Sequence, residues 1–463
     1  MMTVASESLT SYSPATGEAI GSVELTNLSK LHRAVAAASD ALRSDWSRVG
    51  TARAAAINAW ADAVEDHASE LSALVSKEMG KLRTEADFEI SGAVDALRFN
   101  AGLARQLHGT AGPLSDGSIA YVEREPAGVA AFIVPWNAPI LLLLRDLAPA
   151  LAAGVTAVIK PAPESPLATA RVIELAKDLI PDGVLNLVFG GAELGQALVE
   201  HPTVRVVAFT GSTETGRSVM RSAAVNFTRV LLELGGKSAS VVFTDADADA
   251  AVSACLPNAF LIAGQFCMAN SRILVERSAF ESVRDLICTR VEALRVGPPD
   301  DPASDVGPLI SEESLDRVMG YVDIARQAGH VAVGGRRAHV DSGAGAYMMP
   351  TVLSADLLDE RITCREIFGP VVTVEPFDDE EGAIRLANIT PYGLAGSVWT
   401  ADGKRAWRVA RGLRAGTVWV NRYGRLFAET PFGGMGHSGL GRTRGLDGLY
   451  TFTEQKHINW DVV

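Results

Sequence analysis

Apolar positions recur at helical spacing across residues 26–105: Leu31, Val35, Ala38 and Leu42, then Leu71, Leu74, Met79 and Leu82. This stretch reads as a set of amphipathic helices. Residues 108–126 turn polar and glycine-bearing, then alternate through Ser118-Ile119-Ala120-Tyr121-Val122-Glu123-Arg124-Glu125, which predicts a hairpin or an edge strand. Short apolar runs then follow at 129–134, 155–159, 185–189, 204–209 and 230–234, each but the last leading into a helical pattern. Near-continuous apolar strands alternating with helices indicate an α/β fold with a parallel sheet covered on both faces. Ligands of such sheets bind beyond the carboxyl ends of the strands. Asn137, Lys160, Gly191, Gly211 and Glu233 all fall at or just past those ends. A second β/α series occupies about 237–435, with apolar runs at 238–243, 271–275 and 371–374, and it contains Cys267. A site built from both halves would lie between two domains.

At 463 residues the chain has room for two to three domains with large cores. Hydrophobic residues make up 48% and charged residues 21%, a globular balance. The formal net charge of −13 argues against nonspecific binding of nucleic acid or an anionic membrane, both of which need a basic face. The four cysteines, Cys255, Cys267, Cys288 and Cys364, form no CxxC pair, so neither a metal site nor a redox dithiol is expected. The first seven residues carry no basic region followed by an apolar run, and the longest apolar stretch, 139–144, ends at Arg145-Asp146, too short to span a bilayer. A reduced, cytoplasmic protein is the expectation.

Four features carry chemistry together. Cys267 sits in Gly264-Gln265-Phe266-Cys267-Met268, Glu233 in Leu232-Glu233-Leu234-Gly235-Gly236-Lys237, and Asn137 ends Pro135-Trp136-Asn137. The fourth is the turn Phe209-Thr210-Gly211-Ser212-Thr213-Glu214-Thr215-Gly216. Singly, each has a plain structural explanation: a buried thiol, a salt-bridged carboxylate, an Asx turn, a tight strand–helix turn. As a set they supply a nucleophile, a base, an amide donor and a phosphate-binding helix N-terminus, which is what oxidation of an acyl group on a thiol requires. The turn is G-x-x-x-x-G rather than GxGxxG, and Arg217-Ser218 stands where a P-loop needs lysine, so NTP hydrolysis is not expected.

These motifs, with Glu366-Ile367-Phe368-Gly369-Pro370, Pro431-Phe432-Gly433-Gly434 and Ser438-Gly439-Leu440-Gly441-Arg442, resemble the aldehyde dehydrogenase superfamily in order and spacing over essentially the whole chain. The resemblance implies two Rossmann-like parallel-sheet domains and a small β oligomerisation arm. The NAD(P)-binding domain would be 1–107 with 127–235, the catalytic domain 236–437, and the arm and tail 108–126 with 438–463. It makes Cys267 the nucleophile that forms a thiohemiacetal and then a thioester, Glu233 the base for the hydrolytic water, and Asn137 an oxyanion donor beside the Cys267 backbone N–H. It assigns NAD or NADP to Trp136, Lys160, Glu164, Gly191, Gly195, Phe209, Gly211, Ser212, Gly216, Leu234, Glu366 and Phe368. A homodimer or homotetramer is implied. Acyl transfer to coenzyme A and a noncatalytic, cofactor-binding role stay open as alternatives.

The sequence departs from the family pattern in places. Pro163 stands where NAD-preferring members carry an acid, with Glu164 one step on, so a 2′-phosphate would fit beside Lys160 and dual or NADP-leaning use is expected. Val155, Gly436, His437 and Thr443 also depart, at positions read as affecting inter-domain contacts or the tail rather than the chemistry. Leu141, Leu142, Phe266, Met268 and the Tyr423-to-Phe427 loop suggest a pocket for an apolar medium-chain or aromatic aldehyde. Arg145, with Arg422 and Arg425, suits instead a carboxylated aldehyde of the succinic semialdehyde type.

Overall fold

The computed structural model describes residues 8–340, 345–356 and 358–461. The N-terminal stretch read above for a leader lies outside these residues. Two twisted sheets dominate. The first has six strands in the order Gly439–Leu440, Arg229–Glu233, Val204–Thr210, Val129–Ile133, Thr156–Lys160 and Leu185–Leu187. Its strands run parallel except the Gly439–Leu440 edge. The apolar runs of the sequence are these strands, and they are apolar because both faces are covered. One face packs on a cluster that joins Ile57, Trp60, Leu97, Leu144 and Leu151 from the helices Gly50–Asp66, Arg83–Leu103 and Pro139–Ala153. The other packs on Leu31, Val35, Leu198 and Val219. Burial on both faces removes the period-two alternation that marks a half-exposed strand.

The second sheet has seven strands in the order Val331–Val333, Thr351–Ser354, Val371–Phe377, Arg272–Glu276, Ala239–Val242, Ala395–Trp399 and Thr417–Val420. All pair in parallel except the Val331–Val333 edge. The helices Ala248–Phe260 and Phe280–Glu292 cover one face, and Glu380–Ala387 with Gly403–Gly412 cover the other.

A third, antiparallel sheet orders Thr453–Trp460, Ile119–Pro126 and Thr110–Pro113. The hairpin expected at 108–126 forms, and the strand that pairs with it from the C-terminal segment starts at Thr453. Tyr450 and Thr451 end the helix Gly445–Thr451, and Phe452 is fully buried against Phe132, ring centroids 5.8 Å apart. Gly439–Leu440 pairs with Arg229–Glu233 and forms the antiparallel edge of the first sheet. Apolar Leu449 and Phe452 take that segment into the core, and only the polar alternation after it is free to form an edge. A further hairpin, Ser8–Tyr12 with Ala19–Glu24, went unread in the sequence; Gly17, at φ +72°, turns it. Among the described residues no helix is long and apolar enough to cross a membrane, and no group of three or more His, Cys, Asp or Glu gathers as a metal site.

Candidate active site

A cleft of about 680 Å³ opens between the carboxyl ends of the first sheet and the second half, and Asn137, Glu233 and Cys267 all line it. The first sheet delivers its residues by regular means. Glu233 is the last residue of its strand, 3% exposed, and its Oε1 has no hydrogen-bond partner. Burial pushes its carboxyl up to about 8, opposed chiefly by Arg145 and further by Arg442 and Arg444, while Asp146 pushes the same way as burial. A buried carboxyl near neutral pH is suited to proton transfer. Asn137 precedes the helix Pro139–Ala153, whose first-turn N–H groups at Ile140 and Leu141 donate to Glu89 Oε1 at 2.8 and 3.2 Å. One N–H of the Asn137 side chain donates to the Gln265 carbonyl at 3.0 Å, which leaves the second N–H of the amide for another acceptor.

Cys267 is delivered by strain. Ile262, Ala263 and Gly264 have φ of 52°, 53° and 71°, three left-handed residues in a row. For β-branched Ile262 this costs on the order of 1–3 kcal/mol and persists only where the surroundings impose it. The surroundings are specific. Glu85 Oε1 accepts the Ile262 N–H at 2.6 Å, and the Gln265 side chain donates to the Ile262 carbonyl at 3.0 Å and accepts from the Ile310 N–H at 2.9 Å. At Gly264 any side chain would run into the Gly369 carbonyl. Tyr423 Oη donates to the Met268 carbonyl at 2.9 Å. The Cys267 thiol is pushed up to about 12 by burial, with Arg145 opposing and Glu233 and Glu366 adding to the rise. It therefore rests as the thiol and needs a base.

The cleft also has the parts for a dinucleotide. Ser212 caps the helix Thr213–Ala223, its Oγ accepting from the Thr215 N–H at 3.2 Å, and Gly216 packs where a Cβ would stand 2.6 Å from Leu234 Cδ2. Such close packing leaves the helix N-terminus open to an anion. At Gly211 a Cβ would stand 2.6 Å from the Phe209 ring. Trp136 and Phe368 form an edge-to-face pair with centroids 5.7 Å apart, and both line the cleft with the thiol. Glu366 Oε1 accepts the Gly236 N–H at 3.1 Å; burial pushes its carboxyl up to about 7, against that N–H and Lys237. One strand further along, outside the cleft's own lining, Lys160 Nζ donates to the Pro161 and Gly190 carbonyls at 3.0 and 2.9 Å. Burial lowers the Lys160 amine to about 8, against Glu164, which is exposed beyond Pro163. Gly195 faces the Lys160 stem, and Gly191 caps the helix Ala192–Val199 with open space around it. The arrangement fits a nicotinamide dinucleotide: helix N-terminus for the pyrophosphate, carboxylate for a ribose, aromatic wall for the ring.

The substrate side is less as expected. Leu142 lines the cleft, but Leu141 lies over Gly92 of the Arg83–Leu103 helix, and Met268, 1% exposed, packs with Leu394 and Phe432. Phe266 is half-buried beside the Met268 cluster, and Phe427 is 44% exposed beneath Arg425, whose guanidinium is 5.5 Å from the ring centroid. Arg145 is not a free cation. It is 3% exposed and bidentate to Asp146, at 2.8 and 2.7 Å, with a third bond to Thr210 Oγ1 at 2.7 Å. A guanidinium that deeply buried must be paired, and its own neighbour in sequence pairs it. Thr443, read above as remote from the chemistry, is fully buried and donates to Asp146 Oδ1 at 2.7 Å. Glu85, Asp146 and Arg317 were missed as site residues. Arg317 holds the Ile367 and Phe368 carbonyls at 2.5 and 3.2 Å across the left-handed Phe368. Only Glu85 had a signal: it stands at the third position of its helix and accepts the Leu82 N–H at 2.9 Å.

Known proteins agree with this geometry. The model of the aldehyde dehydrogenase family matches residues 2–458. The NADP/NAD-dependent aldehyde dehydrogenase PuuC of Escherichia coli is 41% identical over 422 residues, 90% of this chain and 84% of that protein. The 2-hydroxymuconic semialdehyde dehydrogenase of Pseudomonas putida is 38% identical over 467 residues, 96% of this chain and 94% of its own. Betaine aldehyde dehydrogenase from Staphylococcus aureus, solved with NAD+, superposes with a TM-score of 0.95 at 37% identity, covering 98% of this chain and 92% of that one. The chain belongs to the aldehyde dehydrogenase family and is an NAD(P)-dependent oxidoreductase that acts on aldehydes.

Proposed function

We propose that the chain oxidises an aldehyde to its acid on Cys267 and releases the acid by hydrolysis. The observation that carries this reading is the convergence of Cys267, Glu233 and Asn137 on one cleft, with a thiol that needs a base and a carboxyl poised near neutrality. Glu233 takes the thiol proton, Cys267 Sγ adds to the carbonyl carbon, and the oxyanion receives Asn137 Nδ2 and the Cys267 backbone N–H. One such donor is worth about 3 kcal/mol in the transition state. NAD(P)+ supplies, when bound, the acceptor for the hydride. Gly211, Ser212 and Gly216 would hold its pyrophosphate, Glu366 a ribose, and Trp136, Leu234 and Phe368 the ring. Once Glu233 has passed the thiol proton to solvent, it removes a proton from the water that hydrolyses the thioester, and that proton returns to the departing Cys267 sulfur.

Leu142 on the cleft, with the Arg145 guanidinium taken up by Asp146 and Thr210, favours an apolar medium-chain or aromatic aldehyde. The exposed Arg425 over Phe427 supports a second reading, a carboxylated aldehyde held at the mouth. We infer use of both cofactors, because Lys160 has no carboxylate at position 163 to exclude a 2′-phosphate. The open edge of Thr453–Trp460, with Ile458 and Trp460 40% and 57% exposed, supports pairing with another subunit as a dimer or tetramer. The test is formation of reduced nicotinamide over aliphatic, aromatic and carboxylated aldehydes with NAD and with NADP. A best substrate among the apolar aldehydes, with kcat/KM for the two cofactors within about tenfold, is the expected result. Preference for succinic semialdehyde, lost in Arg425→Ala, moves the assignment to the second reading.

A further inference from the structure

Behind the catalytic carboxyl lies a buried polar cluster drawn from three separate segments. Arg145 and Asp146 come from the Pro139–Ala153 helix, Thr210 ends its strand, and Thr443 comes from the C-terminal segment. The register places this cluster. Thr210 and Glu233 are direct partners on adjacent parallel strands, so their side chains leave the sheet on the same face, with the strands roughly 4.8 Å apart. The Arg145 guanidinium, 2.7 Å from Thr210 Oγ1, is thereby fixed beside Glu233. Resting on the reading that Glu233 activates the hydrolytic water, we propose that Arg145 is a positioning residue for deacylation: clamped by Asp146 and Thr210, and braced through Thr443, its guanidinium stands beside the Glu233 carboxyl and eases its loss of a proton.

The charged and titratable groups that face Glu233 are Arg145 and Asp146 from the helix, Arg442 and Arg444 from the C-terminal segment, and Cys267 opposite. Asp146 cancels part of the Arg145 charge. Arg444 is lowered to about 10 by burial and then by Arg145, and its Nε has no hydrogen-bond partner. Arg145 is the largest of the influences that favour the ionised carboxyl. An opposite charge at such range moves a carboxylate by about one to three pH units, and with Asp146 offsetting part of it about one unit is expected.

The experiment is the pH profile of steady-state acid release in the full-length enzyme under saturating aldehyde and cofactor. In Arg145→Gln the acid limb moves up by about one pH unit, and near pH 7 turnover falls roughly tenfold. In Arg145→Lys, which keeps the charge, the limb stays close to wild type, a split that a purely structural role would not give. Should Arg145→Gln fail to fold, Thr210→Val cuts the tether to the strand with the Asp146 pair whole, and a smaller upward shift is expected. A limb that stays in place in both Arg145→Gln and Thr210→Val overturns the proposal, as does an equal shift in the Lys and Gln variants. Glu233→Gln separates this from failure of the base assignment. If that variant keeps the limb and the turnover, Glu233 is not the base and the proposal falls with it. If it abolishes both while Arg145→Gln leaves the limb unmoved, Arg145 alone is overturned.

Discussion

The wall of the cleft that carries Gly211 and Glu233 is the ragged end of a parallel sheet, each residue delivered by a regular strand into a short turn. The wall that carries Cys267 is three consecutive left-handed residues pinned by Glu85 and Gln265, with the Gly369 carbonyl too close to Gly264 for any side chain there. On the first, position follows from local geometry, and a substitution leaves the neighbouring site residues where they stand. On the second, position is imposed from a distance, so residues that never touch substrate control where the nucleophile stands. The contrast extends to charge. Glu233 and Glu366 are raised by burial at the sheet end and against it, whereas the thiol is raised so far that it depends on a base across the cleft.

The largest expected effect removes the nucleophile. Cys267→Ser should lower turnover roughly 10⁴-fold or more while cofactor binding, followed by fluorescence titration, stays within a few-fold. Loss of cofactor binding along with activity would show that the two walls are not separable. Glu85→Ala strips the acceptor from a buried N–H in the strained run, at roughly 1–3 kcal/mol, so alkylation of Cys267 and turnover should each fall about five- to hundredfold with cofactor affinity unchanged. A variant with ordinary thiol reactivity would mean the strain is self-supporting. Glu233 tests the other wall through stability. Its folded value of about 8 lies above the ordinary 4.5, so the folded chain keeps a proton that the unfolded chain has released, and stability is lost as pH climbs from 4.5 to 8. Glu233→Gln should therefore unfold with wild type at pH 4.5 and later than wild type at pH 9, by an amount on the order of a few kcal/mol. Identical melting at both would place the carboxyl in a wetter site. The smallest effect falls at the cofactor's far end: Lys160→Met should raise KM for NADP about tenfold and for NAD by less. An equal rise would assign Lys160 to a group the cofactors share.

Much of the strand-end wall was legible in the sequence because apolar runs mark the strands and the chemistry sits where the runs stop. Asn137 and Glu233 could be placed on one side of one sheet from spacing alone. The nucleophile wall was legible only as a motif. Nothing in Leu261-Ile262-Ala263-Gly264 announces a left-handed run, since only its glycine favours that conformation and the other residues are forced into it by Glu85 and Gln265. The Arg145 assignment to substrate failed for a related reason. Sequence spacing shows that an arginine follows Asn137 by two helical turns, but it does not show that Asp146 and Thr210 close around it. Thr443 reaches the same pair from the far end of the chain, at a separation no local pattern reveals. Tyr450 and Thr451 end a helix rather than opening the strand after it, because tertiary burial of Leu449 and Phe452 overrides their β preference.

The most direct measurement is a rapid-mixing experiment on Glu233→Gln with a good aldehyde and saturating cofactor. The account expects the burst of reduced nicotinamide to be slowed, because the thiol has lost its base, and steady turnover to fall roughly 10²–10⁴-fold as the thioester waits for the same base. A variant that keeps wild-type turnover after the burst would contradict the division of labour between Cys267 and Glu233.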